Sequence, residues 1–295
     1  MNEAAPPVGE QAAAVKPVGP LREVRGPSAL GGGARRFFDL LWLMSATEFK
    51  RTYFGTVLGY VWSLVRPLML FGVLLFVFTQ VFKLGSDLPD YPVLLLLGIV
   101  NFTLFAEATQ NAVGSVVNQE AVVRKTQFPR LVIPLSAVLT CTFNYLLNLV
   151  VVFVFILAWG VDPTWTWLLF PVAIAALLVL TAATSMMLAV LYVRFRDVMI
   201  IWAVVSQVLF YATPVLYPIE KLENPTLQHI LMLNPLAVIF EQIRVWILAE
   251  PNAPTAAEAA GGAARLLIPG AIFLAVCVYG VWIFRRDAPR IAEEL

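Results

Sequence analysis

The chain has 295 residues, of which 60% are hydrophobic and 13% charged, with a formal net charge of +1. Soluble globular domains carry nearer a quarter charged residues, so this composition excludes an ordinary soluble enzyme and marks an integral membrane protein. The near-neutral balance also excludes nucleic acid as a main partner, a role that needs a clustered excess of Lys and Arg.

Residues 1–34, MNEAAPPVGEQAAAVKPVGPLREVRGPSALGGGA, are rich in Ala, Pro and Gly and hold no apolar run. With no hydrophobic stretch after a basic start, they read as a disordered cytoplasmic tail rather than a signal peptide. Residues 35–54 follow. They set Phe37, Phe38, Leu41, Met44 and Phe49 near one side at helical spacing, with Arg35, Arg36, Asp39, Glu48 and Lys50 between them. Aromatics and leucine beside basic residues predict an amphipathic helix lying on the cytoplasmic leaflet.

Six later segments are apolar over the roughly 20 residues that a spanning helix needs. They are 59–82, 91–117, 131–159, 165–193, 198–217 and 266–284. The stretch ILMLNPLAVIFEQIRVWIL, between the last two, is interrupted by Asn234-Pro235, Glu241 and Arg244. It is expected to enter the bilayer and return, or to lie on its surface. The fold class is therefore all-α integral membrane: six transmembrane helices, an N-terminal interfacial helix and a tail at 287–295, with the segment between spans five and six re-entrant or on the surface.

Orientation follows from where Lys and Arg gather near the membrane ends. Arg35, Arg36, Lys50 and Arg51 precede the first span, and Arg124, Lys125 and Arg130 separate the second from the third. Arg194 and Arg196 lie between the fourth and fifth, and Arg285, Arg286 and Arg290 follow the sixth. The alternate connections hold Lys83 with Asp87 and Asp90, and Asp162. Both termini are expected in the cytoplasm.

Motifs for chemistry are missing from the sequence. It has no G-x-x-x-x-G-K-[ST] phosphate loop, no G-x-G-x-x-G and no Cys or His grouping with metal spacing. Cys141 and Cys277 fall in apolar runs and read as small hydrophobes. The lone histidine, His229, reads as an interfacial residue. Glu107 is the one acidic residue clearly within a predicted span, and Arg66 lies about two turns inside the first, where it either snorkels to the headgroups or faces a path. Among the aromatics, Trp62 and Phe71 line the first predicted span, Tyr145 the third, and Phe210, Tyr211 and Tyr217 the fifth. Such rings serve helix packing and interface belts. Some can also line a conduit, where a flat ring meets the C–H faces of a sugar.

Four stretches in order resemble the membrane subunits of type-2 ABC exporters that move lipid-linked polysaccharides such as O-antigen and teichoic acid polymers. They are KRTYFGTVLGYVWSLVRPL, VVRKTQFPRLVIPLS, VRFRDV, and VLFYATPVLYPIEKL followed by LNPLAVIFEQIR. The resemblance runs from about Arg35 to Arg286 and implies a permease that dimerises with a second copy of itself, with short re-entrant helices between spans five and six. A separate ATPase would then bind ATP and Mg, with no cofactor on this chain, and the substrate would be a lipid-linked glycan. It further implies that Val122, Val123, Arg124, Lys125, Phe128, Pro129 and Arg130, with Arg194, Arg196 and Asp197, dock the ATPase. The substrate path would use Trp62, Arg66, Phe71, Tyr145, Phe210, Tyr211 and Tyr217, and the lipid headgroup would approach at Arg35, Arg36, Lys50, Arg51 and Tyr53. Where the family often has extra basic residues, this chain has Thr52 and Phe54, leaving lipid phosphates to Lys50, Arg51 or Arg66. Weighed against this are a type-2 exporter of drugs or small lipids, and an ion-coupled transporter or lipid-modifying enzyme using Glu107, His229 or Glu241.

Overall fold

A computed structural model describes residues 33–53, 59–81, 83, 90–120, 129–249 and 253–287. Among the described residues there is no β-strand. The long helices are α1 (Gly33–Tyr53), α2 (Gly59–Phe76, continued by a π-helical turn Val77–Val81), α3 (Tyr91–Asn118), α4 (Val132–Trp159) and α5 (Phe170–Arg194). They are followed by α6 (Val198–Ala212), α7 (Pro225–Leu231), α8 (Pro235–Leu248), α9 (Ala256–Ala259) and α10 (Leu267–Asp287).

Helix α3 is the centre of the bundle. Of its most apolar stretch 78% is buried, against 11% for α2 and 17% for α10, so the latter two present most of their surface to lipid or to another chain. Hydroxyls inside the spans bond back along their own helices: Thr109 donates to the Phe105 carbonyl at 2.7 Å, Thr181 to Leu177 at 2.7 Å and Thr184 to Leu180 at 2.9 Å. Each of these three hydroxyls is thus satisfied without water, as a bilayer interior favours. Helices α5 and α10 cross at Gly280. A Cβ there would come within 3.0 Å of the Ala183 carbonyl carbon and closer still to its oxygen. Only a glycine lets the two backbones meet this closely.

Five described helices are long and apolar enough to span a membrane, or six if the bent pair α7–α8 counts as one. The expected fifth span, 198–217, is helical for only 15 residues, to Ala212. At 1.5 Å per residue α6 rises about 22 Å, less than the ~30 Å hydrocarbon core. The cause is Pro214. The residue before a proline is driven from helical to extended backbone, and Thr213 sits at φ −104°, ψ 142°.

Two Asn-Pro pairs start the next helices. Asn224 accepts from the Thr226 amide at 2.9 Å and Asn234 from the Leu236 amide at 3.0 Å, with proline in the first turn of each helix. An asparagine cap and a proline already at helical φ are a strong start signal. Between α7 and α8 the chain bends by 104°, interrupting the apolar stretch at Asn234-Pro235 as the sequence led one to expect.

Helix α1 lies against α4 rather than only on a surface. Ser45 is fully buried; its hydroxyl donates to the Leu41 carbonyl at 2.7 Å and faces that of Ser136 at 3.2 Å. Thr140 on α4 donates in turn to the Ser45 carbonyl at 3.3 Å. The inward side is Phe37, Leu40, Leu41 and Met44, packed on Val116, Val132, Ile133, Val193 and Phe284. Phe38, expected on that side, is 63% exposed, because one helical step of 100° from Phe37 carries it off the stripe. The same cluster joins the start of α4 to the ends of α3, α5 and α10, defining one end of the bundle.

Candidate functional site

A polar seam runs through the apolar interior between α2, α3 and α4. Ser63 and Pro67 of α2, Thr103 and Glu107 of α3, and Cys141, Asn144, Tyr145 and Asn148 of α4 line a cavity of about 20 Å³, room for about one water. At its mouth the Arg66 guanidinium is 3.4 Å from Glu107 Oε1. Arg66, whose side chain is 82% exposed, thereby links α2 to α3. Asn144 and Asn148, one turn apart on α4, share a hydrogen bond of 3.2 Å, and the Asn148 amide also donates to the Asn144 carbonyl at 2.9 Å.

Further bonds pin the seam to its neighbours. The Tyr145 hydroxyl donates to Asn101 Oδ1 at 2.8 Å, and the Asn101 amide donates to the Leu97 carbonyl at 2.7 Å. Trp202 of α6 donates from Nε1 to the Thr109 hydroxyl at 3.0 Å. Beside these bonds Phe102 forms an aromatic junction, with ring centroids 5.1 Å from Phe210 on α6 and 6.5 Å from Phe240 on α8. Helix α3 thus touches α2, α4, α5, α6 and α8.

On the other side of α8 the Arg244 guanidinium is a two-pronged clamp. Nη1 donates to Glu220 Oε2 at 2.6 Å while Nη2 donates to Glu220 Oε1, and Nη1 also faces Glu241 Oε1 at 3.4 Å. Burial pushes the Glu220 carboxyl up, but hydrogen bonds and charge from Arg244 outweigh it and hold its pKa below the ordinary value.

The residues expected to dock an ATPase divide into two groups. Val122, Val123, Arg124, Lys125 and Phe128 lie outside the described residues, while Pro129 and Arg130 form the half-buried turn that leads into α4. Arg194 reaches Asp287 Oδ1 at 3.4 Å, Arg196 stacks 5.2 Å over the Tyr192 ring, and Asp197 is exposed at the start of α6. Between them Phe195 is 62% exposed. These groups share the end of the bundle that Phe37, Val132, Val193 and Phe284 define.

The expected path residues are spread more widely. Trp62 and Tyr211 are largely exposed, whereas Phe71 is buried with its ring 5.6 Å from Phe155. Tyr145 is buried against the small cavity, Phe210 is half-buried on Phe102, and the Tyr217 hydroxyl donates to the Tyr211 carbonyl at 3.0 Å. Arg35, Arg36, Lys50 and Arg51 are exposed along α1, with Arg51 at 4.0 Å from Glu48; the Tyr53 side chain lies outside the described residues. Asn101, Asn144, Asn148 and the Glu220–Arg244 pair were not singled out from sequence. Two asparagines one turn apart in an apolar run were the signal available for the seam.

Compared with known proteins, residues 39–248 match the family described as ABC-2 type transporter. The chain belongs to the ABC-2 type transporter family. The family match begins within α1 and ends at the last residue of α8, so it takes in the seam, the aromatic junction and the clamp. The ABC-2 chain is also 30% identical over 202 residues to the O-antigen export system permease protein RfbA of Myxococcus xanthus, covering 68% of this chain and 77% of that protein. A protein of the same name from Klebsiella pneumoniae is 30% identical over 201 residues, 68% of this chain and 76% of the relative. This ABC-2 chain is accordingly a multi-pass membrane subunit of a transporter.

Proposed function

We propose that the chain is the permease subunit of an ATP-driven exporter that carries lipid-linked polysaccharide across a bacterial plasma membrane. It would work as a pair of identical copies with a separate ATPase subunit, which supplies ATP and Mg. The observation that carries this reading is the family match together with relatives named as O-antigen export permeases. Orientation rests on the basic residues: Arg35, Arg36, Arg130, Arg194, Arg196, Arg285 and Arg286 all belong to the bundle end where α1 packs, which would face the cytoplasm.

In this reading the partner ATPase engages residues 119–130 and the exposed Arg194–Asp197 turn. Force delivered there enters α4 through Pro129 and Arg130, and α5 and α6 through the turn. The exposed apolar sides of α2 and α6, with Met69, Val73, Ile200, Val204 and Val208, are surfaces for lipid or the second copy. A pyrophosphate-linked lipid would approach along α1 at Arg35, Arg36, Lys50 and Arg51. The glycan would pass beside Trp62, Phe210, Tyr211 and Tyr217.

Co-purification of the chain with the ATPase, and stimulation of ATP hydrolysis by the chain, test this. Phe128→Ala and Arg130→Ala are expected to weaken the stimulation. Undiminished complex formation after deletion of residues 119–130 would refute the docking claim.

A further inference from the structure

His229 has no part in the proposed transport route, yet the fold builds a contact around it. Arg265, in the turn before α10, places Nη1 2.7 Å from His229 Nδ1. An arginine can only donate, so Nδ1 accepts and the imidazole presents its N–H at Nε2. Gly261 makes room for the pair. It sits at φ +81°, and a Cβ on it would come 2.8 Å from Arg265 Nη1 and collide with His229 Nε2.

The pair stands over a cleft of about 230 Å³ lined by Ile230, Met232, Leu233 and Ile268. Arg265 meets no carboxylate within ion-pair distance among the described residues. The acid nearest in sequence, Glu258, is held on Thr255 by the cap of α9. A guanidinium facing only a neutral ring above an apolar cleft is matched to an anion that carries an apolar tail.

Its level in the membrane fits the same ligand. Helix α10 has 21 residues and rises about 31 Å, the thickness of the hydrocarbon core, with Arg285 and Arg286 at its far end. Arg265 therefore lies at the opposite membrane surface, at headgroup level. Directly below it Leu267 is 75% and Ile268 50% exposed, where a lipid-facing surface begins.

We propose that the cleft between α7 and the start of α10 binds an anionic phospholipid of the leaflet opposite Arg285 and Arg286. Arg265 and His229 would hold the phosphate and Ile230, Leu233 and Ile268 an acyl chain. This rests on α10 spanning the membrane and not on the identity of the exported substrate.

Native mass spectrometry of the full chain released from detergent, titrated with dioleoylphosphatidylglycerol or dioleoylphosphatidylcholine, tests it. The phosphatidylglycerol is expected to be retained preferentially. Arg265→Gln should weaken retention roughly fivefold, while Arg285→Gln at the other surface should leave it unchanged. Ile268→Gln should lower retention without shifting the melting temperature, which separates loss of the cleft from loss of fold. Equal retention by wild type and Arg265→Gln would overturn the proposal, as would equal retention of the two lipids. Full displacement by inorganic phosphate would show a simple anion site and overturn the lipid assignment. Capture of a prenyl diphosphate with no phosphatidylglycerol bound would overturn the choice of phospholipid.

Discussion

Arg244 is the residue whose loss should be felt most. Its side chain is 6% exposed, beside Glu241 at 1% and Glu220 at 28%. Arg244→Gln removes the guanidinium and leaves its charge-assisted bonds to Glu220 unmade. Breaking one side of a buried ion pair costs about 3–5 kcal/mol, and the partial exposure of Glu220 places this site at the lower end, about 3 kcal/mol. In a chain of 295 residues that lowers the melting midpoint by roughly 5 °C.

The dependence on pH gives a second reading of the same variant. The Glu220 pKa is lowered in the folded protein, so its contribution is complete above the ordinary carboxylate value of about 4.3 and is lost as pH falls through the lower folded value. In Arg244→Gln burial is opposed only by a backbone hydrogen bond and the charge of Lys221, so most of what holds the carboxylate ionised is gone and protonation relieves the penalty. The gap between wild type and variant should therefore narrow below about pH 4. Thermal unfolding of the detergent-solubilised chain, followed by tryptophan fluorescence from pH 7 to pH 3.5, measures both effects. A variant melting within about 2 °C of wild type at pH 7, or a gap constant across that range, would refute the role given to Arg244.

Gly280→Ala should force α5 and α10 apart at the Ala183 carbonyl and cost about 1–3 kcal/mol; a midpoint equal to wild type would show that the crossing has slack. Tyr145→Phe removes one buried hydrogen bond to Asn101 and should cost about 0.6–1.7 kcal/mol. The double variant with Asn101→Ala should lose less than the sum of the two single losses, and strict additivity would argue against the bond.

Helix positions were readable because the bilayer demands long apolar runs; the Asn-Pro pairs carried the capping signal for α7 and α8, although Asn234-Pro235 was read only as an interruption. What escaped depended on partners distant along the chain. Thr213-Pro214 lay inside an apolar run that hydropathy alone read as continuous, although the proline carried the local reason for α6 to stop. Phe38 fell on the outer side of α1 because the buried stripe is set by Ser45 meeting α4, and no local rule names that neighbour. Arg66 and Glu107 were both noticed, but their pairing joins residues 41 apart in sequence and becomes visible only once α2 lies on α3. The seam's asparagines look like weak polar interruptions until the helices bring them together.

The early end of α6 changes what lies beside it in the bundle. Beyond Ala212 the chain continues as non-helical backbone at membrane depth, which is tolerated only inside protein or beside water. Here it is inside protein: Thr213, Val215 and Leu216 are buried, and the Tyr91 hydroxyl donates to the Leu216 carbonyl at 2.8 Å. Helix α6 itself thus covers only about 22 Å of a core about 30 Å deep, and the rest of the depth beside it is taken up by this buried, non-helical segment.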